Sequence, residues 1–348
     1  LCLWRLATET KAQPEARAFF VDDDCCDNTG KRQKPRFKPG CNPGALQSTD
    51  LAGPICLRYD AWQASCGASQ RDGSPWFSQL LRVAGQFGWG AIKHVPDVLI
   101  SYPDAFPSDM ESCLLALFDS FSAKGIAGEI VPASSQSWGI RYPLGIPPKV
   151  TVAIVSSGQL DLLDRCLSSI IDKTRYPEFE IVIALGATDD DPDLDTWLLE
   201  IQQRPSPSIS VVRSTGNYAA NCNAAIDASA NDLVALIKDE TVAIQHNWLE
   251  ELVRSCLQPD IVGAAPRLIT PGGGLIQNAG NVLGLKGIVG SPYDGKAKLG
   301  EPGYLDCLLV ARDVSVLPAA CMMIRKSAYL SVSGMDELDL GNHLAEVD

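Results

Sequence analysis

The sequence predicts an α/β fold in which a mixed, mostly parallel β-sheet is flanked by helices. Three observations carry that prediction. From Lys149 onward, short β-branched apolar runs alternate with stretches whose apolar residues recur at helical spacing. Each helical stretch is long enough to carry the chain back across a sheet, the right-handed connection that parallel strands need. A hydrophobic content of 46% with ordinary glycine and proline usage is that of a globular chain, and no apolar run approaches the roughly 18 residues of a membrane span.

"KVTVAIVSS" reads as the first strand of the regular region, ended by small polar residues. "LDLLDRCLSSIIDKT" follows as a helix, with Asp161 near its start as a cap. "EFEIVIAL" with "DLDTWLLEIQQ", "SISVVRS" with "YAANCNAAIDASA", and "DLVALI" with "NWLEELVRSCL" repeat the pair. Strands are thus predicted near residues 150–155, 180–185, 209–213 and 232–237, and ligands of such sheets sit at the strands' carboxyl ends. Upstream, "ARAFFVDDD", "AGPICLRYDAW" and "HVPDVLISYP" read as strand-bearing segments and "WFSQLLRVAGQF" as a helix. Between about Phe106 and Pro148 lies a connector: the helix "DMESCLLALFDSFSAKG", then an extended stretch whose prolines disfavour helix.

A formal net charge of -13 argues against a nucleic-acid partner, because phosphate-backbone binding draws on a Lys and Arg surplus. An acidic chain still binds a diphosphate when a divalent cation stands between them. The twelve cysteines are scattered without a C-x-x-C pair, which favours reduced, mostly buried thiols and a cytoplasmic setting over metal-thiolate chemistry. The first residues read as helix from inside a domain, without an initiator methionine or a signal peptide, and the last stretch crowds acids behind turn glycines. The expectation is a piece of a longer polypeptide.

The fourth strand of the regular region ends in Asp239 and Glu240. Two hard oxygen ligands at a sheet's ligand crevice suit Mg²⁺ or Mn²⁺. The plainer reading of the same stretch is a polar turn leading the chain out of a buried strand.

The run from "VTVAIVSSGQLDLLDRCLSSIIDKTRYPEFEIVIALGATDDDP" through "NYAANCNAAI", "ALIKDETV", "GGGLIQNAGNVLGLKGIVG" and "LLVARDVSVLPAACMMIRKSAY" to "VSGMDELDLGNHLAEVD" resembles a family-2 glycosyltransferase. It is most similar to the rhamnosyltransferase-like, often multi-modular enzymes of O-antigen and other bacterial surface polysaccharide synthesis. The resemblance spans Lys149 to Asp348 in collinear order and implies the GT-A fold, which binds nucleotide-diphosphate sugars. It implies an inverting, metal-assisted transfer to a glycan or lipid-linked glycan acceptor, in the cytoplasm and at most peripherally at the inner face of the membrane.

Residue by residue, the family's closing acidic motif reads Ala345, Glu346, Val347, Asp348, which puts Glu346 at the base that deprotonates the acceptor hydroxyl. Asp239 falls on the D-x-D-like element that coordinates the cation, with Glu240 beside it and Ile237 at the element's first position. Asn217 and Asn223 match a donor-side segment, for which helix capping is the plainer role, and Ser156 and Thr188 stand at strand ends near the expected nucleotide. The chain departs from the pattern at Leu185, where an Asp usually contacts the base, at Asn278 in "IQNAG", and in Pro318, Ala319, Ala320, Cys321.

Residues 1–105 resemble the later half of a preceding module of the same family, so the fold is preceded by a partial second copy. Asp22, Asp23 and Asp24 match its acid run and read as a solvated charge cluster rather than a metal site. Its base motif has become Pro75, Trp76, Phe77, Ser78, without a carboxylate. The organisation is then a degenerate first module over 1–105, a connector over 106–148 and a second module over 149–348. Two functions compete: a metal-assisted glycosyltransferase, or a degenerate module that binds glycan or scaffolds an active neighbour. Leu185, Ile237 and the lost first base favour the second, and an apolar pocket around Leu185 and Ile237 would exclude the first.

Overall fold

A computed structural model of the chain describes residues 2–65, 75–103, 105–106, 109–186, 191–214, 216–340 and 347. It divides into two compact units, Leu1–Tyr142 with Gly300–Asp313, and Pro143–Leu299 with Val314–Asp348.

The first unit opens with α1 (Cys2–Ala12) and then β1 (Ala18–Cys26), the centre of its sheet. Along one edge of β1 run β2 (Arg32–Arg36) and β3 (Ile55–Leu57), both antiparallel, and along the other runs β4 (Ile92–Pro103), parallel. Helices α2 (Pro43–Ser48), α3 (Tyr59–Ser65) and α4 (Pro75–Phe87) fill the connections. The stretch read as a connector contributes α5 (Met110–Ala123) and a hairpin of β5 (Glu129–Pro132) and β6 (Trp138–Arg141) to this unit. Trp138 anchors the hairpin: it is buried, meets Phe77 edge to face at 5.6 Å and donates its indole N–H to the Gln47 carbonyl at 2.8 Å.

The acid run on β1 is not solvated, contrary to the sequence reading. Asp22, Asp23 and Asp24 are 3%, 0% and 4% exposed. Asp23 takes both arms of the Arg36 guanidinium at 2.7 Å and the Lys38 ammonium at 2.7 Å. Asp22 accepts the Lys38 backbone N–H at 2.8 Å and meets His94 Nε2 at 2.8 Å, and Asp24 pairs with Arg32 at 2.5 Å. Three consecutive carboxylates survive burial because β2, the turn behind it and β4 each bring a donor. Those donors lie up to 72 residues away in sequence, where no local pattern announces them.

In the second unit, β7 (Val150–Val155), β8 (Phe179–Gly186), β9 (Ile209–Ser214) and β10 (Leu233–Lys238) are parallel, within a residue of the predicted spans. Helices α6 (Leu160–Lys173), α7 (Pro192–Ile201), α8 (Tyr218–Ala228) and α9 (Trp248–Cys256) alternate with them. Short strands follow as antiparallel pairs or edges: β11 (Gly263–Ala264), β12 (Leu268–Ile269) with β13 (Ile276–Asn278), and β14 (Val282–Leu283) with β15 (Val289–Gly290). Then β16 (Cys321–Arg325) pairs antiparallel with both β10 and β11, and α10 (Lys326–Ser331) closes the unit. The result is a mixed, mostly parallel six-stranded sheet of order β11-β16-β10-β7-β8-β9.

Both faces of the parallel strands are covered, which is why they read as continuous apolar runs. One core holds Ile154, Ile183, Leu185 and Ile237 against α6, α7 and α9, and the other holds Val155, Ala184 and Leu236 against α8. Asp161 lies in the first turn of α6 rather than at its cap, which is Gln159, so its charge meets the positive helix end without a capping bond.

Candidate functional site

The strand order sets the place. From β7 the chain adds β8 and β9 on one side, then returns to add β10 on the other side of β7. Where the order reverses, the loops leaving two neighbouring strands part toward opposite faces and open a crevice at their carboxyl ends. Here that crevice lies between the ends of β7 and β10.

Asp239 follows β10 directly and is 5% exposed. Its Oδ2 accepts three hydrogen bonds from the loop leaving β7: Ser156 Oγ at 2.8 Å, Ser157 N at 2.6 Å and Ser157 Oγ at 2.9 Å. Gly158, at φ +82°, turns that loop so that its own N–H reaches Ser156 Oγ at 3.1 Å. Oδ1 accepts no hydrogen bond among the described residues. The carboxylate is therefore fixed on one oxygen and open on the other. Glu240 beside it is exposed, and the Thr241 N–H closes a turn onto the Lys238 carbonyl at 2.9 Å, so the polar-turn reading of this stretch also holds.

Among the described residues no three His, Cys, Asp or Glu side chains gather to hold a metal. A small hard cation needs no such cage when substrate phosphates complete its shell, and a ligating carboxylate is itself oriented by hydrogen bonds. Asp239, gripped through Oδ2 with Oδ1 open and Glu240 adjacent, fits that pattern. The thiols nearby do not offer a nucleophile: burial and then the Asp239 charge push Cys166 up to about 12, and burial pushes Cys321 up to about 12.

The other sequence-predicted residues divide. Ser156 is brought to the site as a buried support of Asp239. Asn217 is the N-cap of α8, accepting the Ala220 N–H at 3.2 Å and donating to the Glu337 carbonyl at 2.8 Å. Asn223 spends its whole amide within the chain. Its Nδ2 donates to the Met335 carbonyl and to Glu337 Oε1, and its Oδ1 accepts from the Met335 N–H and the Tyr329 hydroxyl. It has no hydrogen bond left for a donor sugar, and instead holds the 335–337 segment against α8. Thr188 and Glu346 lie outside the described residues.

Leu185 and Ile237 are 0% and 4% exposed and belong to the core under α6, α7 and α9. They pack the sheet, so neither position offers a polar contact to a ligand. In the first unit, Phe77 is wholly buried in the core around Trp138, and a carboxylate there would be displaced by packing.

Sequence reasoning missed Ser157, which supplies two of the three bonds to Asp239, because a serine after a strand is common in any loop. It also missed Lys238 and Tyr218, whose side chains meet across the end of β10, with Lys238 Nζ 4.5 Å from the Tyr218 ring centroid. No local pattern joins two residues 20 positions apart.

The family model described as Glycosyl transferase family 2 matches residues 151–330. O-antigen biosynthesis protein RfbC of Myxococcus xanthus is 25% identical over 345 residues, covering 94% of this chain and 26% of its own length. The uncharacterized protein y4gI of Sinorhizobium fredii (strain NBRC 101917 / NGR234) is 26% identical over 357 residues, covering 97% of this chain and 38% of its own length. The chain thus spans well under half of either curated relative. Among solved structures, mannosyltransferase PcManGT from Pyrobaculum calidifontis, in complex with GDP-Man and Mn²⁺, is similar with a TM-score of 0.39 and 14% identity, covering 57% of this chain and 50% of that one.

Proposed function

The chain belongs to glycosyl transferase family 2, and on that premise we propose that its second unit moves a sugar from a nucleoside-diphosphate donor to a growing bacterial surface glycan. Rhamnose is the sugar in this reading, and the anomeric configuration inverts. The observation that carries it is the grip on Asp239: a carboxylate held by three donors at the one crevice where the strand order reverses. The relative named for O-antigen biosynthesis supports the surface-glycan acceptor.

The residues divide the work by position. Ser156 and Ser157 keep Asp239 in one orientation, which removes the cost of ordering it when the donor arrives. Asp239 and Glu240 would hold a divalent cation, Mg²⁺ or Mn²⁺, which when bound supplies positive charge to the departing diphosphate. Glu346 would take the proton of the acceptor hydroxyl as its oxygen bonds the anomeric carbon. The bond from that carbon to the diphosphate oxygen breaks on the opposite face, and the electron pair leaves with the diphosphate.

For the first unit we propose the second reading, a non-catalytic module that binds glycan or scaffolds its neighbour. Phe77 supports it, buried where the family places the base motif.

The test is calorimetric binding of UDP, GDP and dTDP in Mn²⁺. At least one should bind the wild type, and Asp239→Ala should weaken it by about tenfold or more while the protein stays folded. Undiminished binding to Asp239→Ala would remove Asp239 from the donor site. In parallel, Glu346→Gln should leave binding intact and lower turnover by about 10²–10⁴-fold.

A further inference from the structure

Lys238 is the last residue of β10, one position before Asp239. The strand's alternation sends their side chains to opposite sides of the strand end. Asp239 turns toward the β7 loop, whereas Lys238 turns toward the start of α8, where its ammonium lies 4.5 Å from the centroid of the Tyr218 ring. Tyr218 is the first residue of α8 and is itself tied to the Ala319 carbonyl through its hydroxyl at 3.2 Å. Lys238 is partly buried and forms no ion pair among the described residues.

Among the described residues Lys238 is the one lysine held over an aromatic ring. The formal net charge is -13, yet among the described residues only Lys38, Lys149 and Lys286 of the lysines form ion pairs, so the aromatic ring and not a missing carboxylate marks Lys238. A lysine at a strand's carboxyl end gains little from a strand-end turn, and a partly exposed cation–π contact contributes only about 0.5–1 kcal/mol. The aromatic face orients the ammonium without neutralising it, so the full charge and its N–H donors stay available to a ligand.

Resting on the donor-site reading above, we propose that Lys238 is the chain's own cation for the donor diphosphate, contacting it from the α8 side while the Asp239 side holds the divalent cation. In the transfer step, the bond between the anomeric carbon and the diphosphate oxygen breaks and that oxygen gains the electron pair. Lys238 donates an N–H to the diphosphate oxygens as their charge grows, and keeps its proton. A fixed ammonium beside the cation site makes donor binding partly independent of the metal.

The test is calorimetry on the intact chain with UDP, GDP and dTDP, each in Mn²⁺ and in EDTA, with the matching nucleosides as controls. The diphosphate that binds the wild type should bind more weakly in EDTA but remain measurable. Lys238→Met should lower its affinity about tenfold or more in both media, as loss of a charge-assisted contact does, and should leave the nucleoside's binding unchanged. Lys238→Arg should restore most of the loss, and its melting temperature guards against a folding defect in the Met variant. Equal diphosphate affinity in wild type and Lys238→Met, or a parallel loss of nucleoside binding, overturns the role of Lys238 and leaves the donor site standing. A wild type that binds no nucleoside diphosphate in either medium overturns the donor-site reading, and this inference with it.

Discussion

Taking away the Asp23 carboxylate would leave the Arg36 guanidinium and the Lys38 ammonium facing one buried space, with side chains 17% and 1% exposed. Burial already pulls the Lys38 amine down, opposed by the neighbouring Asp23 charge. Asp23→Ala should therefore destabilise the first unit by roughly 3–5 kcal/mol, the cost of breaking a buried pair from one side. Urea unfolding followed by tryptophan fluorescence reads this, since Trp89 and Trp138 report on that unit. A change under about 1 kcal/mol, the range of an exposed pair, would mean that the network is open to water. At this scale the sequence was uneven: Asp239 was legible because it ends an apolar strand in an α/β pattern. The partners that bury Asp22 to Asp24 were not, nor was the internal engagement of Asn223, because both are fixed by residues distant in the chain.

The elements were more legible than their joints. Strands β7 to β10 and helices α6 to α9 declare themselves by continuous apolar runs and helical spacing, whereas β2, "RQKPR", is exposed and carries no periodic signal. The β5–β6 hairpin hid behind prolines in a stretch that reads as a connector. One joint has a testable energetics. Glu180 on β8 accepts Thr151 Oγ of β7 at 2.9 Å, the Ala230 N–H at 3.1 Å and Asn231 Nδ2 at 3.0 Å, and pairs with Lys149 at 3.2 Å. Burial alone would raise its carboxyl, but these bonds outweigh it and hold the group below its ordinary 4.5. A carboxyl lowered on folding contributes stability that is present above its unfolded value and is lost as the pH falls through the folded one. Glu180→Gln should thus lower the melting temperature at neutral pH, and the gap to wild type should close below about pH 4. An equal gap in neutral and in strongly acidic buffer would mean that charge plays no part in this clamp.

For the molecule, topology explains why one aspartate matters. The chain builds β7, β8 and β9 outward and then turns back to place β10 beside β7, and this reversal brings Ser156, Ser157 and Asp239 together at one crevice. The alternation of strands and helices made the sheet predictable, but the reversal is a property of the assembled order and not of any segment. The most direct measurement of the central claim is hydrogen–deuterium exchange of the whole chain with and without the nucleoside diphosphate that binds best, in Mn²⁺. Protection should concentrate at residues 155–160 and 238–241 and at the start of α8 near 217–220. Protection confined to the first unit, around the cavity of about 530 Å³ lined by Trp89, Lys93 and His94, would contradict the placement of the donor site, and no protection anywhere would contradict the donor site itself.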